Sequence, residues 1–162
     1  MKTLLILRHA KSDWGNTRLP DHDRPLNKRG LREAPLMGQL IREQGLTPDL
    51  ILSSTAVRAR HTAELVAEAC GCEGEIQLTR DLYLAEPEGY VETLNVFAKE
   101  EAIVMVVGHN PGIEDLASTL TNESISMTTA NLVQVSLPIE NWKDLRENTQ
   151  GKLVHLWRPK EI

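Results

Sequence analysis

The feature that most constrains the fold is a pair of short apolar runs, each of which stops at a histidine. Residues 3–7 are followed by Arg8-His9-Ala10, and residues 102–107 are followed by Gly108-His109-Asn110-Pro111. Continuous apolar runs of this length are typical of strands buried on both faces of a sheet. Ligands of open α/β sheets bind at the carboxyl ends of the strands. The two histidines are therefore predicted at one ligand-binding edge.

Strand-like and helix-like segments alternate along most of the chain. Strands are predicted at residues 3–7, 49–52, 75–78, 102–107, 132–137 and 153–157. Helices are predicted from the N-cap Asn27 to about residue 45, and over residues 56–69, 87–98 and 110–120. Pro35 should kink or interrupt the first helix. This alternation predicts an α/β sandwich with a mainly parallel sheet, its last two strands pairing antiparallel at an edge.

Length, charge and cysteine content set the general class. The 162 residues fit one domain, residues 1–162, and the net charge of −5 argues against nucleic-acid or membrane partners. Cys70 and Cys72 are too close for an ordinary disulfide, which predicts a reduced, cytoplasmic protein. No stretch reaches transmembrane length, no metal is expected at Cys-x-Cys, and a monomer is the default expectation. A cluster of basic residues follows the first histidine and either steers an acidic substrate or forms a solvated face. Its members are Lys11, Arg18, Arg24, Lys28, Arg29 and Arg32.

A third polar element follows the second predicted strand. Ser53-Ser54 comes first, and Arg58 lies in the first turn of the next helix, where a cation opposes the helix dipole. Helix N-termini favour anions, and the planar guanidinium binds oxyanions through two parallel hydrogen bonds. A neutral histidine can serve as the nucleophile in phosphoryl transfer. Two arginines and two histidines at one edge therefore indicate a phosphorylated substrate, handled without a metal.

The same residues carry a family resemblance. The start Arg8-His9-Ala10 corresponds to the Arg-His-Gly signature of the histidine phosphatase superfamily. Residues 8–12, Trp14 and residues 21–26 (Asp-His-Asp-Arg-Pro-Leu) resemble the small branch of SixA-type phosphohistidine phosphatases. Residues 53–59 and 108–111 match the later motifs in order. The resemblance implies a three-layer α/β/α sandwich with a mainly parallel central sheet, the phosphoglycerate-mutase-like fold.

The resemblance also implies roles for single residues. His9 would attack phosphorus, Arg8 and Arg58 would hold the phosphoryl oxygens, and His109, protonated or donating, would stabilise the developing charge. Lys11 and Asn110 are expected to add substrate contacts. The activity implied is that of a metal-independent phosphatase without a cofactor, and phosphate or other oxyanions should bind its site. Its substrate would be phosphohistidine on a phosphorylated protein, either a phosphotransfer domain or a phosphocarrier.

The proton donor for the leaving group is not assigned. Larger members of the superfamily supply a carboxylate, and the candidates here, Asp81, Glu86 and Glu88, do not stand in the matching context. An imidazole leaves more easily than an alkoxide, so a missing acid favours substrates with a P–N bond. Asp13, Glu86 and Lys11 are candidate rim residues, Tyr83, Tyr90 and His22 are candidate neighbours of the pocket, and Trp14 either packs on substrate or anchors its loop.

Other functions remain as alternatives. A small-molecule phosphomonoesterase or a phosphoglycerate-mutase-like enzyme would use the same pocket. A non-catalytic phosphate-binding module is disfavoured because Arg8, His9, Arg58 and His109 are all present. A nucleotide-binding domain is disfavoured because neither a P-loop nor a GxGxxG motif occurs.

Overall fold

The central element is a six-stranded sheet in a computed structural model that describes residues 1–162. The strands are β1 (Lys2–Arg8), β2 (Leu50–Ser54), β3 (Glu75–Thr79), β4 (Ile103–Gly108), β5 (Leu132–Leu137) and β6 (Lys152–Trp157). Their order is β3-β2-β4-β1-β5-β6. The first four strands in this order run parallel, β5 runs antiparallel to β1, and β6 runs antiparallel to β5. The predicted mainly parallel sheet with an antiparallel edge is confirmed.

Four helices connect the strands: α1 (Lys28–Glu43), α2 (Val57–Cys70), α3 (Pro87–Phe97) and α4 (Gly112–Thr121). The side chain of Asn27 accepts a hydrogen bond from the Gly30 N–H at 2.9 Å and caps α1, as predicted. Helix α1 runs through Pro35 without a break, so the expectation of an interruption is wrong. Pro35 has no N–H to donate to the carbonyl oxygen of Leu31, four residues earlier. Leu31 is exposed, so water can donate to this oxygen instead.

The helices cover both faces of the sheet. Along β1, Leu4 and Ile6 join the core beneath α3 and α4, whereas Leu5 and Leu7 join the core beneath α1 and α2. This alternation follows from the two-residue period of a strand, and every one of these side chains is fully buried. The result is the three-layer α/β/α sandwich expected from the sequence.

The strand order brings three carboxyl ends together. Strand β4 lies between β1 and β2, and Arg8 pairs in register with Gly108. The segment between β1 and α1 then crosses this edge, with a short 3-10 turn at Asp21–Asp23. Gly30 allows α1 to approach that segment closely, because a Cβ there would lie 2.2 Å from the Lys11 carbonyl oxygen. None of the helices is both long and apolar enough to cross a membrane.

Candidate active site

His9 lies immediately after β1 and is buried. Its Nδ1 is 2.8 Å from the carbonyl oxygen of Ala10, and because a carbonyl only accepts, the ring proton sits on Nδ1. Nε2 therefore keeps its lone pair and accepts from Arg58 Nε at 3.4 Å. Burial lowers the pKa of His9 well below its ordinary value of 6.5. The side chain is thus held as a neutral imidazole with Nε2 as the basic nitrogen, which is the form that a nucleophile requires.

His109 follows β4, with its ring centroid 5.1 Å from that of His9. Its Nε2 lies 2.8 Å from Ser54 Oγ, at the end of β2, and its backbone N–H donates to the hydroxyl of Tyr90 at 3.2 Å. Gly108 makes room for that hydroxyl, because a Cβ there would lie 1.9 Å from it. Burial, together with the charge of Arg58, lowers the pKa of His109 to about 3. Burial and the neighbouring arginine thus favour the neutral form of His109.

Arg58 is buried in the first turn of α2 and is oriented by Asp21. Its Nη1 donates to the Asp21 carbonyl oxygen at 2.8 Å, and its Nη2 donates to Asp21 Oδ2 at 3.1 Å. The same carboxylate accepts from the Tyr83 hydroxyl at 2.6 Å and from Arg24 Nε at 3.0 Å. The hydrogen bond from Tyr83, with those from the two arginines, lowers the pKa of Asp21 well below its ordinary value. Asp21 is therefore a fixed negative charge shared by two arginines.

Arg8 and Asn110 meet at the carbonyl oxygen of Met127. Arg8 Nη1 donates to this oxygen at 3.0 Å, and Asn110 Nδ2 donates to it at 2.8 Å and to Glu114 Oε2 at 3.0 Å. The donor group of the Asn110 amide is therefore engaged within the protein, and only its oxygen remains for a ligand. Asn110, which was predicted to contact substrate, can therefore do so only as a hydrogen-bond acceptor, through Oδ1.

Three buried side-chain polar atoms in the protein lack a hydrogen-bond partner: Arg8 Nε, His109 Nδ1 and Asn110 Oδ1. Nearly all buried polar groups in folded proteins are paired, so each exception calls for an explanation. All three atoms belong to residues that the sequence placed at the ligand-binding edge. Their clustering indicates that a polar ligand completes this site.

The pocket itself is a cavity of about 280 Å³. It is lined by Arg8, His9, Lys11, Ser12, Trp14, Arg24, Arg58, His109, Asn110 and Thr129. All six residues predicted from the sequence are in this set, and none of the lining residues is an aspartate or a glutamate. No group of three or more histidine, cysteine, aspartate or glutamate side chains is placed to hold a metal ion.

A second cavity, of about 210 Å³, adjoins the pocket and shares His109 and Asn110 with it. Among the carboxyl candidates for the proton donor, Glu86 lines this cavity, whereas Asp81 and Glu88 line neither of the two. Asp13 also lies outside both cavities and instead accepts from the Gly15 N–H at 2.6 Å. Of these carboxyl candidates, Glu86 is thus the one that lines a cavity together with His109.

Arg24 and Asp21 are the site residues that sequence reasoning missed as functional groups. The Arg24 guanidinium lies 3.5 Å from the centroid of the Trp14 ring and also bonds Ser12 Oγ, so Trp14 anchors its loop through a cation–π contact. The Asp-His-Asp-Arg-Pro-Leu string contained both residues, and their proximity in sequence to the predicted phosphate motif was the available signal. The contacts of Asp21 with Arg58 and with Arg24 depend on how the loop folds back.

The other candidate neighbours have different positions. His22 lines neither cavity; its Nε2 lies 2.8 Å from Thr55 Oγ1 and its ring packs against Tyr83. Tyr83 lines the second cavity with its ring centroid 5.5 Å from that of His109. Tyr90 is fully buried and supports His109 from behind rather than bordering the pocket.

These features define an α/β protein with a cationic pocket, in which two histidines and two arginines meet at the carboxyl edge of a mainly parallel sheet. The sequence model of the Histidine phosphatase superfamily (branch 1) matches residues 4–86, the stretch that contains Arg8, His9 and Arg58. The chain belongs to the histidine phosphatase superfamily. His109 lies beyond the matched stretch, and the structure brings it to the same pocket.

The chain is similar to individual relatives and solved structures over most of its length. An uncharacterised chloroplastic protein of Arabidopsis thaliana is 34% identical over 152 residues, which cover 88% of this chain and 70% of the relative. The crystal structure of a proposed phosphohistidine phosphatase SixA from Agrobacterium tumefaciens is 28% identical, with a TM-score of 0.83 and 98% of both chains covered. The protein histidine phosphatase SixA in complex with tungstate shares the fold, with a TM-score of 0.79 at 22% identity over 98% of both chains.

Proposed function

We propose that this protein is a phosphatase that removes the phosphoryl group from phosphohistidine on another protein, through a phosphohistidine intermediate at His9. The observation that carries the proposal is the neutral His9, with Nε2 free of a proton, in a pocket lined by cationic side chains and by no carboxyl group. Similarity to SixA structures supports it, one of which binds tungstate, a tetrahedral oxyanion like phosphate.

In the first step His9 Nε2 attacks phosphorus while the P–N bond to the substrate imidazole, which carries a proton on its other ring nitrogen, breaks. The electron pair leaves on the nitrogen that held phosphorus, so a neutral imidazole departs. Arg8 and Arg58 hold the phosphoryl oxygens through charge-assisted hydrogen bonds. Arg58 Nε donates to His9 Nε2 before the reaction. Once Nε2 bonds to phosphorus its lone pair is used, and the Arg58 N–H is free to donate to a phosphoryl oxygen.

In the second step water attacks the phosphorus of the intermediate, and the electron pair of the P–N bond returns to His9 Nε2. Both protons of the water remain on the phosphate, and His9 keeps its proton on Nδ1 throughout because the Ala10 carbonyl holds it there. The negative charge of the phosphoryl group favours a proton on the neighbouring His109, opposing the effect of burial and Arg58 on its pKa. His109 Nδ1, which has no partner within the protein, is the atom available to donate.

The composition of the pocket lining favours a P–N bond over an ester. A leaving imidazole has a conjugate acid with a pKa of about 6.5 and leaves without help, whereas an alkoxide needs a proton donor. The pocket lining contains no carboxyl group that could supply this proton. The cations that neutralise the phosphoryl charge belong to the protein, so turnover is expected to be insensitive to EDTA.

A phosphomonoesterase is the second candidate, and Glu86 is the observation that favours it. Its carboxyl group lines the cavity that shares His109 and Asn110 with the pocket. A small phosphate ester whose alcohol occupied that cavity would place its leaving oxygen on the Glu86 side. Loss of ester hydrolysis in Glu86→Gln, with hydrolysis of phosphohistidine retained, would support this route.

The test compares three substrates in the presence of EDTA: a chemically phosphorylated histidine protein, p-nitrophenyl phosphate and glycerol 2-phosphate. We expect fast loss of phosphohistidine, slow hydrolysis of the nitrophenyl ester, whose phenolate leaves readily, and almost none of the alkyl ester. His9→Ala should abolish all turnover while its circular dichroism spectrum stays native. Turnover retained in His9→Ala would exclude the covalent step, and alkyl ester hydrolysis at the phosphohistidine rate would replace the proposal with the second candidate.

A further inference from the structure

We infer that the exposed side chains around the mouth of the pocket form a docking surface for a folded, acidic protein that presents phosphohistidine from an apolar patch. This inference rests on the proposed function and specifies how the phosphohistidine is delivered. It concerns residues outside the catalytic pocket, chiefly Leu84 and Lys28.

The apolar part of this surface flanks His109. Leu84 is 81% exposed and lines the second cavity, whereas Trp14 is 67% exposed and lines the pocket that contains His9. The two cavities meet at His109 and Asn110, so an apolar side chain stands on either side of the shared residues. Large exposed apolar groups beside a functional opening are typical of protein interaction sites.

The pocket is too polar and too small to account for these side chains. Its volume of about 280 Å³ holds a phosphorylated side chain, and nine of its ten lining residues are polar or charged. A small phosphorylated molecule confined to this cavity would leave Leu84 in water. A substrate that covers Leu84 as well as filling the pocket has to extend across the mouth, as a folded protein does.

The charges beside the mouth determine the chemistry of the partner. Lys11 lines the pocket, and its carbonyl oxygen accepts from the Asn27 N–H at 3.0 Å, which brings the exposed Lys28 at the start of α1 close by. Neither lysine forms an ion pair, and neither does the exposed Arg18 on the same segment. This basic patch stands on a protein with a net charge of −5. It is therefore complementary to acidic residues around the phosphohistidine of the partner.

The first experiment separates docking from chemistry with two substrates. One is a folded histidine phosphotransfer domain phosphorylated with phosphoramidate, and the other is a short phosphohistidine peptide. Leu84→Ser should lower kcat/KM for the domain about tenfold, through KM, and leave the peptide unchanged. The matched control is Val96→Ser, since Val96 is 61% exposed on α3 but lines neither cavity of the site. Val96→Ser should leave kcat/KM unchanged for both substrates.

The second experiment tests the basic patch. Lys28→Glu should lower kcat/KM for the phosphorylated domain at low salt, and the difference from wild type should shrink at high salt, where surface charges are screened. Lys152→Glu makes the same charge change on β6 and should have no effect on either substrate.

The outcomes separate the inference from the proposed function. Three results would each overturn the docking surface. Leu84→Ser could leave kcat/KM for the domain unchanged, or it could lower kcat/KM for the peptide by as much as for the domain. The wild-type enzyme could also have the higher kcat/KM for the peptide. If neither phosphohistidine substrate loses phosphate in a His9-dependent reaction while the esters do, the proposed function itself fails.

Discussion

At the scale of single residues, the site keeps a surplus of positive charge by sharing one carboxylate between two arginines. Asp21 accepts hydrogen bonds from Arg58 and Arg24, and Arg8 has no carboxylate in direct contact. Both histidines are neutral because burial and the arginines disfavour a further cation. An arriving phosphoryl group therefore meets fixed positive charge together with an unprotonated nucleophile, two conditions that a protonated His9 would not allow.

Arg58→Ala should weaken the binding of tungstate or phosphate. The loss of one charge-assisted pair is expected to cost roughly 1.5–3 kcal/mol of binding free energy. Isothermal titration calorimetry measures the change directly, and Arg60→Ala, an exposed position on the same helix, is the control. Equal affinity in Arg58→Ala and wild type would place Arg58 outside the anion clamp.

The lowered histidine pKa values predict how stability depends on pH. His109 titrates near 6.5 when unfolded and at about 3 when folded, so between these values the unfolded chain binds more protons. The contribution of His109 to the free energy of unfolding is therefore fully present above pH 6.5 and decreases as the pH falls toward 3. His109→Gln should flatten this slope by up to roughly 1.4 kcal/mol per pH unit.

Urea denaturation at pH 7.5, 6.0 and 5.0 tests this dependence through slopes rather than absolute stabilities. His155→Gln makes the same substitution at an exposed position on β6 and is the matched control. A His109→Gln slope equal to that of wild type would show that His109 is not held neutral by the fold.

At the scale of elements, close packing of α1 on α2 holds the layer from which Arg58 projects. A Cβ added at Gly38 would lie 2.6 Å from Ala69 Cβ and 2.7 Å from the Val66 carbonyl oxygen, so only glycine allows this approach. Gly38→Ala should therefore destabilise the protein by roughly 1–3 kcal/mol, although alanine is the better helix former. Gln39→Ala, on the exposed face of the same helix, controls for propensity and should be neutral or stabilising. Chemical denaturation measures both, and an unchanged or raised stability in Gly38→Ala would mean that the helices separate at little cost.

Helices and strands were predictable where local signals agree with the tertiary environment. The apolar run at residues 3–7 and the cap at Asn27 gave β1 and the start of α1 within a residue or two. The expectation at Pro35 failed in part because the cost of a proline depends on whether the orphaned carbonyl reaches water. That depends on the exposure of Leu31, a tertiary property that no local pattern contains.

At the scale of the whole molecule, the site exists because β4 enters the sheet between β1 and β2. The sequence predicted that His9, Ser54 and His109 lie at carboxyl ends of strands, and hence at one edge. It did not predict that these ends are neighbours, since parallel crossovers are compatible with several strand orders. For the same reason the contact between Asp21 and Tyr83, 62 residues apart, could not be predicted. It holds the same carboxylate that accepts from Arg58.

Because every group of the proposed site lies at one edge of the sheet, an anion should stabilise the molecule as a whole and protect that edge in particular. Tungstate at 100 times its dissociation constant should add about 2.7 kcal/mol to the free energy of unfolding and raise Tm. Arg58→Ala should reduce this gain at the same tungstate concentration, because its affinity is lower.

Hydrogen exchange locates the effect. Tungstate should slow exchange in residues 9–27 and 109–112, which follow β1 and β4 at the carboxyl edge. At the opposite edge, protection from exchange should increase only as far as the rise in global stability requires. The connections at that edge are residues 44–49, 71–74 and 98–102. Sodium chloride at equal ionic strength is the control for nonspecific screening. Uniform protection at both edges, or none, would show that the unpaired nitrogens of Arg8 and His109 do not donate to an oxyanion.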